Sequence, residues 1–123
     1  MKLHLTIPKN RSLFTGHGPG YVAVGGTPYH TPLLVSPDGT VSAWSVSDRG
    51  ILTAQAVQQW LEHQPEIVIL GTGARQQFPD PALLQPLYAA RIGLEVMDTP
   101  AACRTYNILI AEDRRIIAAM WLP

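Results

Sequence analysis

Residues 66–107, EIVILGTGARQQFPDPALLQPLYAARIGLEVMDTPAACRTYN, decide how this chain is read. Ile67-Val68-Ile69-Leu70 is an apolar run without alternation, which suits a strand covered on both faces, as in the parallel sheets of α/β proteins. It ends in Gly71-Thr72-Gly73, followed by Ala74-Arg75. Asp80 then stands as an N-cap, with Pro81 at the first helical position, where its missing N–H costs nothing. Leu83, Leu84, Leu87 and Tyr88 supply the expected buried face of this helix, and Gly93 is placed to end it. Pro86 is awkward there, because an interior proline removes a hydrogen bond at a cost of about 3 kcal/mol; the helix starts late or bends. Leu94 to Asp98 reads as a second strand, and Thr99-Pro100 as a second helix start. The result is a strand–loop–helix–strand–helix unit with its glycine and polar residues at the strand ends.

Residues 99–121 admit a β-hairpin or a helix followed by a final strand. The helix, from Pro100 to about Ala111, is preferred because Ala101, Ala102, Thr105, Ile108 and Leu109 share a face. Trp121, with Met120 and Leu122, is expected to extend a sheet edge or form an exposed apolar patch. Upstream, Thr53 caps a helix whose Val57, Trp60 and Leu61 fall on one face and which Pro65 limits. Pro32–Ser36 and Val41–Val46 flank Pro37-Asp38-Gly39-Thr40, the clearest hairpin turn in the chain, and Trp44 on its second strand reads as core. In the glycine-rich segment 13–26, Gly16, Gly18 and Gly20 read as a turn before the strand Tyr21–Val24, which Gly25-Gly26 ends. Its GxGxG spacing precedes a strand, so no helix N-terminus is offered to a phosphate. Leu3–Ile7 alternates weakly as a strand.

A length of 123 residues fits one domain, 1–123. With 46% hydrophobic and 15% charged residues the chain is globular rather than disordered. Nine basic and nine acidic residues give zero net charge, so nucleic acid has no electrostatic footprint. The same neutrality favours a surface covered by self-association or by a protein partner. One cysteine excludes an internal disulfide and a cysteine metal cage. No run has the length of a membrane span, and the N-terminus lacks an apolar signal core, so a cytoplasmic protein is expected.

Together, GHGPG at Gly16–Gly20, Gly25-Gly26, the LVSPDG hairpin, ILGTGARQQFP from Ile69, GLEVMDT from Gly93 and CRTYN from Cys103 carry a resemblance over nearly the whole chain. The sequence resembles the small Mth938-like domain shared by the mitochondrial NADH dehydrogenase (complex I) assembly factor and bacterial proteins of unknown function. The resemblance implies an α/β domain of three layers: a mixed central sheet, an N-terminal β-hairpin region and about three helices. It implies a soluble protein whose mitochondrial relatives act in respiratory complex assembly, and it does not imply a catalytic mechanism; a non-enzymatic accessory protein with no cofactor is expected. His17, Pro86 and the glycine-free turn Glu112-Asp113-Arg114 depart from the pattern.

Two candidate surfaces follow. If the two strands are parallel neighbours, their carboxyl ends make a crevice lined by Gly71, Thr72, Gly73, Arg75, Asp98 and Thr99, where a small anionic ligand would meet Arg75 and two helix N-termini. The plainer reading makes the glycines a tight turn and pairs Arg75 with Asp98. Cys103, Tyr106 and Asn107, with Arg104 beside them, share a helix face that either locks the helix to the glycine loop or meets a partner. The helix dipole would lower the pKa of this first-turn thiol, but a buried structural cysteine is the preferred reading of Cys103. With His4, His17, His30 and His63 scattered, no base or zinc site accompanies it, and no catalytic residue is assigned.

Overall fold

The apolar run from Ile67 is the second-innermost strand of a mixed sheet in this computed structural model, which describes residues 12–46 and 51–123. The strand expected at Leu3–Ile7 lies outside the described residues. The elements in chain order are β1 (Phe14–Gly18), β2 (Tyr21–Val24), β3 (Thr27–Tyr29), β4 (Leu33–Val35), β5 (Val41–Ala43), α1 (Ala54–Glu62), β6 (Ile67–Thr72), α2 (Pro81–Ala89), β7 (Gly93–Met97), α3 (Thr99–Ile110) and β8 (Ile116–Trp121). Five strands form one sheet in the order β5-β4-β8-β6-β7, and β1-β2-β3 form a second. β6 runs parallel to both β7 and β8, whereas β4 is antiparallel to β8 and to β5.

Side-chain alternation on the inner strands builds two cores. Ile117, Ala119 and Trp121 of β8 join Val68 and Leu70 of β6 beneath α1 and α2. Ile116, Ala118 and Met120 join Ile69 on the opposite face, beneath α3 and the smaller sheet. These are the three layers of an α/β domain. Trp121 is therefore neither at an edge nor exposed, as the sequence reading had it: β8 sits between β4 and β6 and is buried at every position. Trp44 packs in the same core, 4.6 Å from Trp121 and 5.9 Å from Trp60 between ring centres.

Local chemistry explains most element ends. The Thr53 hydroxyl accepts from the Ala56 N–H at 3.1 Å, and Asp80 accepts from Ala82 at 3.0 Å. α2 starts at Pro81 and continues through Pro86, so the helix does not start late. Pro86 and Ala82 are both exposed, which leaves the carbonyl that loses its partner on the solvent side. Tyr88 is 53% exposed rather than buried; Leu84 and Leu87 are the buried residues of this helix, with Leu83 partly buried against the same core. Gly93 does not end the helix; it opens β7. The left-handed residue is Arg91 (φ 59°), with Arg91 N–H donating to Tyr88 O and Ile92 N–H to Leu87 O. That is a Schellman ending closed by the Leu87 and Ile92 side chains.

The segment 99–110 is a helix and not a hairpin, but its buried stripe is Thr99, Ala102, Cys103, Tyr106 and Ile110. Ala101, Thr105 and Leu109 are only partly buried and Ile108 is 70% exposed, because the stripe is phased from the buried Thr99. The 36–40 hairpin forms as expected. Ser36 N–H donates to Thr40 O, Gly39 takes φ 88°, and the Thr40 N–H bonds hold the Asp38 carboxyl below its ordinary pKa. Its second strand stops at Ala43 rather than Val46. Gly16 and Gly18 lie within β1, leaving Gly20 (φ 79°) for the turn.

Gly71 marks the closest approach of α3 to the sheet. A Cβ there would stand 2.5 Å from Met120 Sδ, 2.8 Å from Thr99 Oγ1 and 3.1 Å from the Thr99 Cα. Gly71→Ala is expected to lower unfolding free energy by about 1–3 kcal/mol in urea titration, the usual range for overpacking. At Gly93 the nearest atom to an added Cβ is 3.5 Å away, so Gly93→Ala is expected to leave the midpoint within about 0.5 kcal/mol of wild type.

Candidate functional site

The parallel pairing of β6 with β7 brings Gly71 opposite Met97, so the six crevice residues do meet at the carboxyl ends of these strands. Their polar groups are used on one another. Thr99 is fully buried; its hydroxyl accepts from the Gly73 N–H at 2.8 Å and donates to the Trp121 carbonyl at 2.6 Å. The Thr99 N–H in turn donates to Gly73 O at 2.8 Å. The Thr72 hydroxyl accepts from Gln77 N–H at 3.1 Å and donates to Arg75 O at 2.6 Å. Gly73 holds φ 93°, a left-handed conformation that favours glycine.

The N-terminus of α3 is closed in the same way. Asp98 Oδ1 accepts from Ala101 N–H at 2.8 Å, Asp98 O accepts from Ala102 N–H, Pro100 has no N–H, and Thr99 N–H is taken by Gly73. The donors of the first turn, which would otherwise hold an anion, are spent. Asp98 is a helix cap. Arg75 is exposed, and its neighbour Gln76 donates from Nε2 to the Val96 carbonyl at 3.0 Å.

Cys103 is buried, and desolvation pushes its thiol pKa up to about 12, against a smaller lowering by Arg104. The expected dipole effect is overridden because the thiolate would have to form among apolar side chains. Tyr106 is fully buried, with its ring edge-on to Phe14 at 5.2 Å. Asn107 accepts from Phe14 N–H at 2.9 Å and donates to Phe14 O at 2.7 Å. Its amide thus copies a strand partner for β1, so this face ties α3 to the small sheet, while Thr99 at the helix start is what ties α3 to the glycine loop. Arg104 is exposed.

Sequence reasoning missed two features whose parts lie far apart in the chain. Arg115 caps the end of α1, with Nη2 donating to His63 O at 2.6 Å and Nε to Gln64 O at 3.2 Å, while its N–H donates to Glu66 Oε2. Beside that end lies a depression of about 260 Å³, lined by Leu34, Ser42, Trp44, Ser45, Glu62 and His63 among others.

The family described as "Protein of unknown function (DUF498/DUF598)" matches residues 14–121. A NADH dehydrogenase [ubiquinone] 1 alpha subcomplex assembly factor 3 from Danio rerio is 33% identical over 102 residues, 81% of this chain and 58% of that protein. The chain spans about half the length of the curated assembly factors it matches. A crystal structure of a Bordetella parapertussis protein superposes with TM-score 0.84 at 38% identity, covering 92% of this chain and 97% of the other. A Bordetella pertussis protein described as an Mth938-like domain superposes with TM-score 0.80 at 32% identity, covering 98% and 92%. Fold and sequence therefore agree: this chain belongs to the DUF498/DUF598 family of proteins of unknown function, with the Mth938-like fold.

Proposed function

We propose that this chain is a non-enzymatic accessory protein that works by binding another protein or a second copy of itself; its similarity to proteins named as assembly factors supports this reading. The observation that carries this reading is the closed corner at the ends of β6 and β7. Thr72, Thr99 and Asp98 spend their polar groups on the fold, and Cys103 is a neutral, buried thiol. Recognition is then left to the surface, where Phe78 and Ile108 are 76% and 70% exposed. The exposed Arg75 keeps one competing reading, an anionic metabolite held by the Gly71–Arg75 loop and Asp98.

Native cross-linking followed by mass spectrometry on the full chain is expected to yield a stoichiometric protein partner or a defined oligomer. A monomer that retains nothing under these conditions refutes the proposal. Cys103 is expected to resist a thiol reagent until the protein unfolds, and Cys103→Ala to capture the same partner as wild type. Loss of capture in a folded Cys103→Ala protein would give the thiol a role this reading denies. The metabolite reading makes its own prediction. In a thermal-shift screen of nucleotides, sugar phosphates and carboxylates, a true ligand at a hundredfold excess over Kd stabilises the wild type by about 2.7 kcal/mol, and Arg75→Ala loses that response. We expect no such ligand.

A further inference from the structure

The five-stranded sheet ends at β5 on one side and β7 on the other, and the two edges are finished differently. On β7, Gly93 N–H points inward to Glu66 O, so Leu94 and Val96 direct their backbone groups outward. The Val96 carbonyl is covered by the Gln76 amide, and Glu95 is exposed beside it, two devices that discourage strand addition. On β5 the pattern is fixed by Ser36 N–H to Thr40 O and Trp44 N–H to Pro32 O. Even-numbered residues there bond to β4, so Val41 and Ala43 turn their N–H and C=O groups outward, and among the described residues no strand lies beyond them.

The side chains of Ser42 and Trp44 stand on the α1 face of this edge and line the 260 Å³ depression with Gln59, Glu62 and His63. Among the described residues its lining holds one carboxylate, Glu62, and no lysine or arginine. Asp38 lies outside this lining, in the turn that leads into β5. The nearby cation, Arg115, is engaged with the carbonyls of His63 and Gln64. A strand laid along β5 would turn every second side chain to the α1 face, directly over this depression.

We propose that the edge of β5, which no described strand covers, and the depression beside it receive an extended segment of a partner protein, which adds as a sixth strand and places a basic side chain against Glu62. Backbone pairing through Val41 and Ala43 sets the register, and the contact with the carboxylate adds to the affinity and selects the side chain. This surface deepens the accessory-protein reading and rests on it.

The test uses two blocked peptides, acetyl-Thr-Val-Lys-Val-Thr-amide and its counterpart with Glu in place of Lys, titrated into the full chain at low salt and followed by amide chemical shifts. The Lys peptide is expected to move the Val41 and Ala43 amides and to bind more tightly than the Glu peptide. Glu62→Gln is expected to weaken the Lys peptide about two- to fivefold, the range of an exposed ion pair. Ala43→Pro removes only an outward-facing N–H, so it is expected to abolish the response while leaving the melting temperature near wild type. Equal binding of both peptides, shifts centred on Phe78 and Tyr88, or no response at millimolar peptide overturns the proposal. Partner capture that survives both Glu62→Gln and Ala43→Pro overturns this surface while leaving the accessory reading intact.

Discussion

One hydroxyl holds the layers of this protein in register. Thr99 Oγ1 sits with no exposed surface between the Gly73 N–H and the Trp121 carbonyl, joining the end of β6, the start of α3 and the end of β8. Leaving either backbone group unpaired in that burial costs about 1–3 kcal/mol, so the helix start has one favourable position rather than a range. The contact exists only because Gly71 presents no side chain to Met120 and Thr99. Once Thr99 is fixed, the helical period carries Ala102, Cys103, Tyr106 and Ile110 onto the sheet. Asn107, one step around the helix, then reaches Phe14 and brings the small sheet with it.

The same contact decides what the carboxyl ends of the parallel strands can do. In open α/β sheets that crevice is the usual ligand site, because strand ends and helix N-termini leave polar groups free. Here the protein's own helix fills it. The glycines admit close backbone approach as a ligand loop requires, but what approaches is α3. Fold-level analogy to nucleotide-binding sheets carries no function across that difference.

The strand–loop–helix–strand–helix order, the caps at Thr53 and Asp80 and the 37–40 turn were legible in the sequence, because each rests on residues close together in the chain. What the sequence concealed was set by distant partners. The phase of α3 depends on where Thr99 meets Trp121, 22 residues away, so Ile108 could be placed in the core by local periodicity and yet be exposed. The central place of β8 is invisible in IIAAMW, which reads equally as an edge strand until β4 and β6 are known to flank it. Gly93 was credited with the helix end that Arg91 makes, because Arg at positive φ is uncommon and only the Leu87–Ile92 contact repays it. Arg115 carried no local signal at all; its carbonyl partners lie 51 and 52 residues back.

Zero net charge places a further constraint on recognition. Without a long-range field to steer a partner, association depends on contacts that act within a Debye length, which are apolar area, backbone pairing and single charges. Both sheet edges expose backbone in principle, yet among the described residues only β7 carries a side-chain amide on its outward carbonyl. Among the described residues, what protects β5 is its length of three residues. A short edge adds little as a template for indiscriminate aggregation, since few hydrogen bonds are on offer. It therefore needs a neighbouring side-chain contact to hold any partner, and on this face the neighbouring groups are Glu62, His63 and the rim of the Trp44 core. Selectivity at β5 follows from its shortness.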